Sequence, residues 1–352
     1  MTLSRYMPKT IHSLTETAFD TVIDVRAPSE FAQDHVPGAI NLPVLSDAER
    51  AQVGTIYKQD SPFTARKLGA ALVARNAAHH LQTALADKPG GWQPLVYCWR
   101  GGQRSGSFAT ILSQIGWRVS VLDGGYKCWR SMVSAELYDT PFPAQVVLLS
   151  GGTGTGKTDI LHHAATYGAQ IIDLEGMAEH RGSVFGATGA QPSQKLFETR
   201  LAMAIAALDP ARPVLIEAES NRIGSIRLPP AIWEAMRDAS VIEITAPLAD
   251  RAAYIAHRYE EIAQDRALLG QILTSLRKYH SEAQIEEWQV MAAHPTQLAQ
   301  SLIAEHYDPR YACVSRAPSE THRIVMDNLS LDALKDAANR VCTALSMMVP
   351  NS

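Results

Sequence analysis

Cys98 carries the most evident chemistry in this sequence because of its neighbours, Tyr97-Cys98-Trp99-Arg100-Gly101-Gly102-Gln103-Arg104-Ser105. The run lies between apolar Pro94-Leu95-Val96 and the apolar-periodic Phe108-Ala109-Thr110-Ile111-Leu112, an order that predicts strand, glycine loop and helix. A thiol at the tip of such a strand faces loop amides and the positive end of the helix dipole, which favours thiolate. Arg100 and Arg104 add positive charge, and Gly101-Gly102 lets the backbone aim several donors at one point. The expected product is a nucleophile in an anion cradle built from residues 100–105, with little burial of the thiol.

A second constellation begins where the apolar run Val146-Val147-Leu148-Leu149-Ser150 meets Gly151-Gly152-Thr153-Gly154-Thr155-Gly156-Lys157-Thr158. This is a Walker A pattern in its required setting, with a strand before it and a helix after it. Backbone amides of such a loop wrap two linked phosphates, Lys157 neutralises their charge, and Thr158 places Mg²⁺ if a metal is used. Acidic strand tips follow at Asp173 and at Glu217, with Glu219 beside it, where an aspartate is usual. Each tip fits a Mg²⁺ ligand or a plain solvated strand end. No guanine-reading motif is apparent, so the loop alone does not imply nucleotide hydrolysis. His180, Arg181 and Ser183 in one polar loop, and Arg222 in another, are candidate substrate or nucleic-acid phosphate contacts.

The elements that must hold these groups alternate between strand and helix, which predicts an α/β fold. Thr21 to Val25 reads as a strand with Asp24 and Arg26 at its tip, a pair that either braces the Cys98 loop or is simply a structural ion pair. Ser29 is placed to cap a short helix, and Ser46-Asp47-Ala48-Glu49 is a capping box opening a helix toward Tyr57. A long alanine-rich helix follows from Pro62 to Ala86, then a strand from Trp117 to Leu122 and a last helix through Met132. Glu136 to Gln145, with two prolines and no periodicity, reads as a linker. The expected domains are therefore 1–135 and 146–352, joined by 136–145. In the second, Ser240–Thr245 is a strand, Pro247 opens a helix through Tyr259, and the remainder is mainly helical. Its basic residues, Arg251 among them, are interspersed with acids and read as a solvated surface.

With 352 residues, 46% hydrophobic and 19% charged, the chain can bury two cores and shows no sign of extended disorder. A formal charge of −4 gives no global nucleic-acid signal, so contact with any polyanion requires a local basic surface. The segment from Met1 to Asp20 has no apolar core of a signal peptide, and no apolar run approaches a membrane span, so cytoplasm is expected. The four cysteines, Cys98, Cys128, Cys313 and Cys342, have no metal-site spacing. Cys128 fits either a resolving thiol or a packed helix cysteine.

The Cys98 loop resembles the active-site loop of rhodanese domains. Val22-Ile23-Asp24-Val25-Arg26, Glu30-Phe31 and His35-Val36-Pro37-Gly38-Ala39-Ile40-Asn41-Leu42-Pro43 resemble the N-terminal signature of the same fold. Five residues separate Cys98 from Arg104 where many sulfur-handling rhodaneses have four, and the rhodanese-fold phosphatases share this longer loop. A wider pocket suits a tetrahedral oxyanion. A rhodanese-like loop ahead of a P-loop domain, followed by Asp-Leu-Glu-Gly, His-Arg-Gly-Ser and Asn-Arg-Ile-Gly, resembles the tRNA 2-selenouridine synthase family across nearly the whole chain. The resemblance implies an N-terminal rhodanese-like domain and a P-loop NTPase-like domain with a helical C-terminal part. It further implies alkylation of wobble 2-thiouridine with geranyl diphosphate, then replacement of the S-geranyl group by selenium from selenophosphate. No tightly bound cofactor is expected, Mg²⁺ is optional, and the partners are tRNA and an enzyme that supplies selenophosphate. On this reading Cys98 receives selenium as a selenosulfide or steers its attack. An ATP-dependent tRNA sulfurtransferase, a rhodanese-fold phosphatase and a sulfur-sensing switch remain as rival readings.

Overall fold

The computed structural model describes residues 3–16, 18–180, 190–310 and 321–348. They form two compact units, one from Met1–Pro141 with Pro192–Ala206, the other from Phe142–Gln191 with Ala207–Ser352. Among the described residues no helix is long and apolar enough to cross a membrane.

The first unit is built on a five-stranded parallel sheet. Its strands are β1 (Ser4–Tyr6), β2 (Thr21–Asp24), β3 (Ile40–Asn41), β4 (Pro94–Tyr97) and β5 (Ser120–Leu122), in the order β1-β5-β4-β2-β3. A parallel sheet covered on both faces needs strands apolar throughout, and Pro94, Leu95, Val96 and Tyr97 are all buried. β4 is the central strand, so its carboxyl end, where Cys98 follows, lies over the middle of the sheet. Helices Asp47–Gln59 and Pro62–Gln82 form as the sequence indicates, the first with the Ser46/Glu49 capping box intact. Ser29 does not cap. Helix Pro28–Gln33 starts two residues earlier, with Ala27 in the cap position, and Ser29 bonds Asp47 instead. Residues read as a linker begin with a helical turn, Ala135–Asp139, whose Leu137 is buried. Helix Gln194–Ala206 packs in this unit, although the sequence reading ran the second domain unbroken from 146. Glu198 explains it: the carboxylate pairs with Arg130 and accepts from Tyr138 Oη at 2.8 Å, while Phe197 and Leu201 are fully buried.

The second unit is also centred on a parallel sheet. Its strands are β6 (Val146–Gly151), β7 (Gln170–Ile172), β8 (Val214–Glu217), β11 (Ser240–Thr245) and β12 (Thr321–Val325), in the order β12-β11-β6-β8-β7. β9 (Arg222–Ile223) and β10 (Ile226–Arg227) form a separate hairpin. Helices Lys157–Thr166 and Leu331–Met347 pack on the sheet and share a core of Val147, Leu149, Ile160, Ile242, Ile244 and Val341. A satellite core under the helices from 266 to 302 gathers Leu269, Leu273, Leu276, Ile285, Trp288 and Leu298.

Candidate functional site

Two sites follow from these folds, one in each unit. In the first, Cys98 leaves β4 and the chain turns through Gly101 and Gly102 into helix Gln103–Gln114, whose free N-terminal amides face the loop. The loop is clamped from below: Tyr126 N–H donates to the Cys98 carbonyl at 2.8 Å and Lys127 N–H to the Trp99 carbonyl at 3.0 Å. This contact requires Gly125, whose φ is +59° and at which a Cβ would come within 2.3 Å of the Cys98 carbonyl oxygen. Beneath it, Asp24 and Arg26 form a buried ion pair at 2.6 Å. Arg26 also donates to the Asp34 carbonyl at 2.6 Å and lies 3.8 Å from the Tyr126 ring centre, while Tyr126 Oη donates to Asp34 at 2.7 Å. The pair therefore braces the loop through Tyr126.

Cys98 is only 3% exposed, more enclosed than its charged neighbours suggested, because the strand end carries it into the apolar core beside Phe108. It still lines the floor of a cavity of about 450 Å³ with Glu30, Arg50, Trp99, Arg100 and Arg104. Its Sγ lies 3.1 Å from the Ser105 hydroxyl, itself fully buried. Arg104 was expected to be an open cation and is not: it donates to Glu30 at 2.8 Å, and Arg50 reaches the same carboxylate at 2.8 Å. Burial alone would raise the Glu30 pKa, but Arg104 and Arg50 outweigh it and hold the carboxyl below its ordinary range. Three arginines against one carboxylate still leave the cavity positive, with Arg100 exposed at its edge. Gln103 also lines it, and Gly101 shapes the turn with φ +65°. In the sequence Glu30 stands out only as part of the rhodanese-like signature, and nothing in the helix of Arg50 marks a pocket. Cys128 is half-buried in helix Gly125–Ser134, and burial, then Asp123, pushes its thiol pKa up, as fits a packed cysteine.

In the second unit, Gly151 to Gly156 leave β6 and enter helix Lys157–Thr166 through Gly156 at φ +73°. Gly154, at φ +83°, passes so close to the helix Leu248–Arg258 that a Cβ would lie 2.9 Å from Ile255. Thr155 Oγ1 donates to the Gly152 carbonyl at 2.9 Å, and Lys157 Nζ to the Gly151 carbonyl at 2.9 Å. Arg251 is buried, not solvated: its Nε holds the Thr153 carbonyl at 2.9 Å while both terminal nitrogens grip Asp308 at 3.0 and 2.6 Å. The loop lines a cavity of about 540 Å³ that also reaches Thr158, Asp173 and His180.

At one end of this cavity Glu175, Glu217 and Glu219 each bring an oxygen within 4.8 Å of the others. Burial, then the Glu175 charge, pushes the Glu217 pKa up to about 7, and burial raises Glu175 and Glu219 as well. Glu217 Oε1 is buried without a hydrogen-bond partner. Three crowded carboxylates with an orphaned buried oxygen beside the Thr158 hydroxyl fit a divalent cation. Of the acids singled out in the sequence, Glu217 and Glu219 belong to this group and Asp173 does not. Asp173 caps helix Leu174–Ala178 through Gly176 N–H at 2.7 Å and meets His162 at 2.8 Å. Glu175 takes its place, as the second residue of helix Leu174–Ala178.

His180 lines the cavity, and burial lowers its pKa. Arg222 is exposed on the β9–β10 hairpin and does not line the cavity. Arg181, Ser183 and Cys313 lie outside the described residues. Tyr254 and Arg258, which also line the cavity, come from an amphipathic helix whose spacing alone could not say which face meets a loop.

Comparison with known proteins agrees with both halves. A family described as rhodanese-like domain matches residues 7–132, and one described as tRNA 2-selenouridine synthase AAA domain matches 144–268. A tRNA 2-selenouridine synthase of Shewanella halifaxensis is 32% identical over 82% of this chain and 87% of its own. The enzyme of that name from Bdellovibrio bacteriovorus is 36% identical over 74% and 69%. One from Nitrosomonas europaea is 37% identical over 68% of this chain, which spans 63% of that relative. With both domains matched in this order, and relatives of one name aligned along most of its length, the chain belongs to the tRNA 2-selenouridine synthase family.

Proposed function

We propose that the chain is a tRNA-modifying transferase that converts wobble 2-thiouridine to 2-selenouridine through an S-geranyl intermediate. The observation that supports it most is the presence, in one chain of this family, of two cavities with different chemistry: one with a thiol among arginines, the other with a Walker A loop beside three carboxylates.

In the first step the thiocarbonyl sulfur attacks C1 of geranyl diphosphate. The S–C bond forms, the C–O bond breaks, diphosphate leaves with the electron pair, and the base gives up its N3 proton. Amides of the loop from Gly151 to Thr158 and the Lys157 ammonium stabilise the departing charge. A divalent cation held by Glu217, Glu175, Glu219 and Thr158 would add charge neutralisation when bound. Alkylation matters because a thiocarbonyl sulfur is a poor leaving group and a thioether sulfur departs readily.

In the second step selenium of selenophosphate attacks C2, geranyl thiol leaves after gaining a proton, and water removes the phosphoryl group as phosphate. Arg100 and the amides at the start of helix Gln103–Gln114 hold the phosphoryl oxygens. Cys98 steers the attack. A selenosulfide on Cys98 would require a two-electron oxidation, since selenium in selenophosphate is fully reduced, and nothing in the reaction accepts those electrons. tRNA is the substrate and a selenophosphate-forming enzyme the expected supplier.

Separate assays of C98S and K157A test this division. K157A should slow geranyl transfer by roughly a hundredfold, yet still convert tRNA geranylated beforehand. C98S should geranylate normally and lose selenium incorporation. Loss of geranyl transfer in C98S with selenium incorporation intact would reverse the assignment.

A further inference from the structure

Next to the phosphate loop the second unit holds an apolar slot whose lining includes Ile255, Leu269, Leu298, Ala299, Leu302 and Ile303. Thr153, Ile255, Tyr259 and Tyr307 line both this slot and the phosphate-loop cavity, so the two voids meet at the edge of the loop. The slot has a volume of about 60 Å³. That is room for roughly four to six water-sized groups, about one five-carbon unit, so the slot takes the far half of a ten-carbon chain whose first unit lies at its mouth beside Thr153, and no ring system with its substituents. Its polar groups are few, chiefly the hydroxyls of Thr153, Tyr259 and Tyr307, whereas a nucleobase needs several hydrogen-bonding partners for its edge. Leu269, Leu298 and Leu302 belong to the satellite core, so the walls are fixed by packing on their far side.

We infer that this slot is the subsite for the hydrocarbon chain of the diphosphate ester, and that the satellite helices set the chain length it accepts. The inference rests on the reading of the phosphate loop as a prenyl diphosphate site. The diphosphate lies along Gly151 to Lys157, the ester oxygen sits at Thr153, and the chain runs between helix Leu248–Arg258 and helix Pro295–Leu302. Arg251, by holding the Thr153 carbonyl, keeps the junction between polar and apolar halves in register. The sequence hid this slot because its lining comes from five short helical segments, each with an ordinary amphipathic pattern.

The test is a calorimetric affinity series with the full-length protein: inorganic diphosphate, then dimethylallyl, geranyl and geranylgeranyl diphosphates. Each added five-carbon unit that fits should tighten binding about tenfold or more, through geranyl, and the gain should stop beyond it. Ala256 and Ala263 also line the slot at half-buried positions. A256F and A263F should each remove most of the geranyl advantage while leaving inorganic diphosphate affinity within about twofold. If wild type binds the series with rising affinity and both variants retain it, this subsite is wrong and the phosphate-loop reading stands. If wild type gains nothing from the chain, both readings fall. Affinity that keeps rising to the C20 chain would overturn the length control.

Discussion

At the scale of single residues, charges that look available in the sequence are already committed in the fold. Arg104 and Arg50 converge on Glu30, so the anion-binding charge left at the Cys98 cavity is set by three arginines less one carboxylate. Because the folded protein holds Glu30 below its ordinary value of 4.5, this group stabilises the fold above that pH and loses its contribution as pH falls through the lowered value. E30Q should therefore be less stable than wild type at pH 7, and the gap should close in acid, as urea titrations across pH 3–7 would show. A constant gap across that range would mean packing, not charge, is what Glu30 supplies. Cys98, Lys157 and Glu217 were legible as chemistry-bearing residues because their motifs carry a fixed local geometry. Glu30, Arg50, Glu175 and Arg251 came to their sites through tertiary contacts that no spacing encodes.

At the scale of elements, the strand–loop–helix order was readable for both sites, since each needs only an apolar run, a glycine turn and a periodic segment. The glycines show how narrow the tolerance is. G125A places a methyl group against the Cys98 carbonyl and Gly101 N, in a left-handed conformation that alanine disfavours. We expect it to destabilise the first unit by roughly 1–3 kcal/mol and to abolish selenium incorporation while geranyl transfer persists. Thermal melts with separate assays of the two steps would check this; normal selenium incorporation in G125A would show that the clamp on the loop is dispensable. Capping was read unevenly. The Ser46/Glu49 box formed because both partners are local, whereas Ser29 was drawn away by Asp47, distant in sequence.

At the scale of the whole molecule, the two-domain organisation was legible but its boundaries were not, because helix Gln194–Ala206 returns to the first unit from within the second half of the chain. Its Phe197, Leu201 and Ala202 are fully buried, and apolar surface of that kind is costly to uncover. A fragment ending at residue 145 should accordingly melt well below the full chain's first unit, or aggregate, and limited proteolysis would reveal it. A fragment as resistant as the intact protein would show the helix to be peripheral.

On the function proposed, one chain performs alkylation and then selenium transfer on the same base. Mass spectrometry of nucleosides, after thiolated tRNA is incubated with the protein, tests it most directly when the donors are added one at a time. Geranyl diphosphate alone should yield S-geranyl-2-thiouridine, and later selenophosphate should convert it to 2-selenouridine. Selenouridine formed from selenophosphate with no geranyl diphosphate present, or thiolated tRNA left unchanged by both donors together, would contradict it.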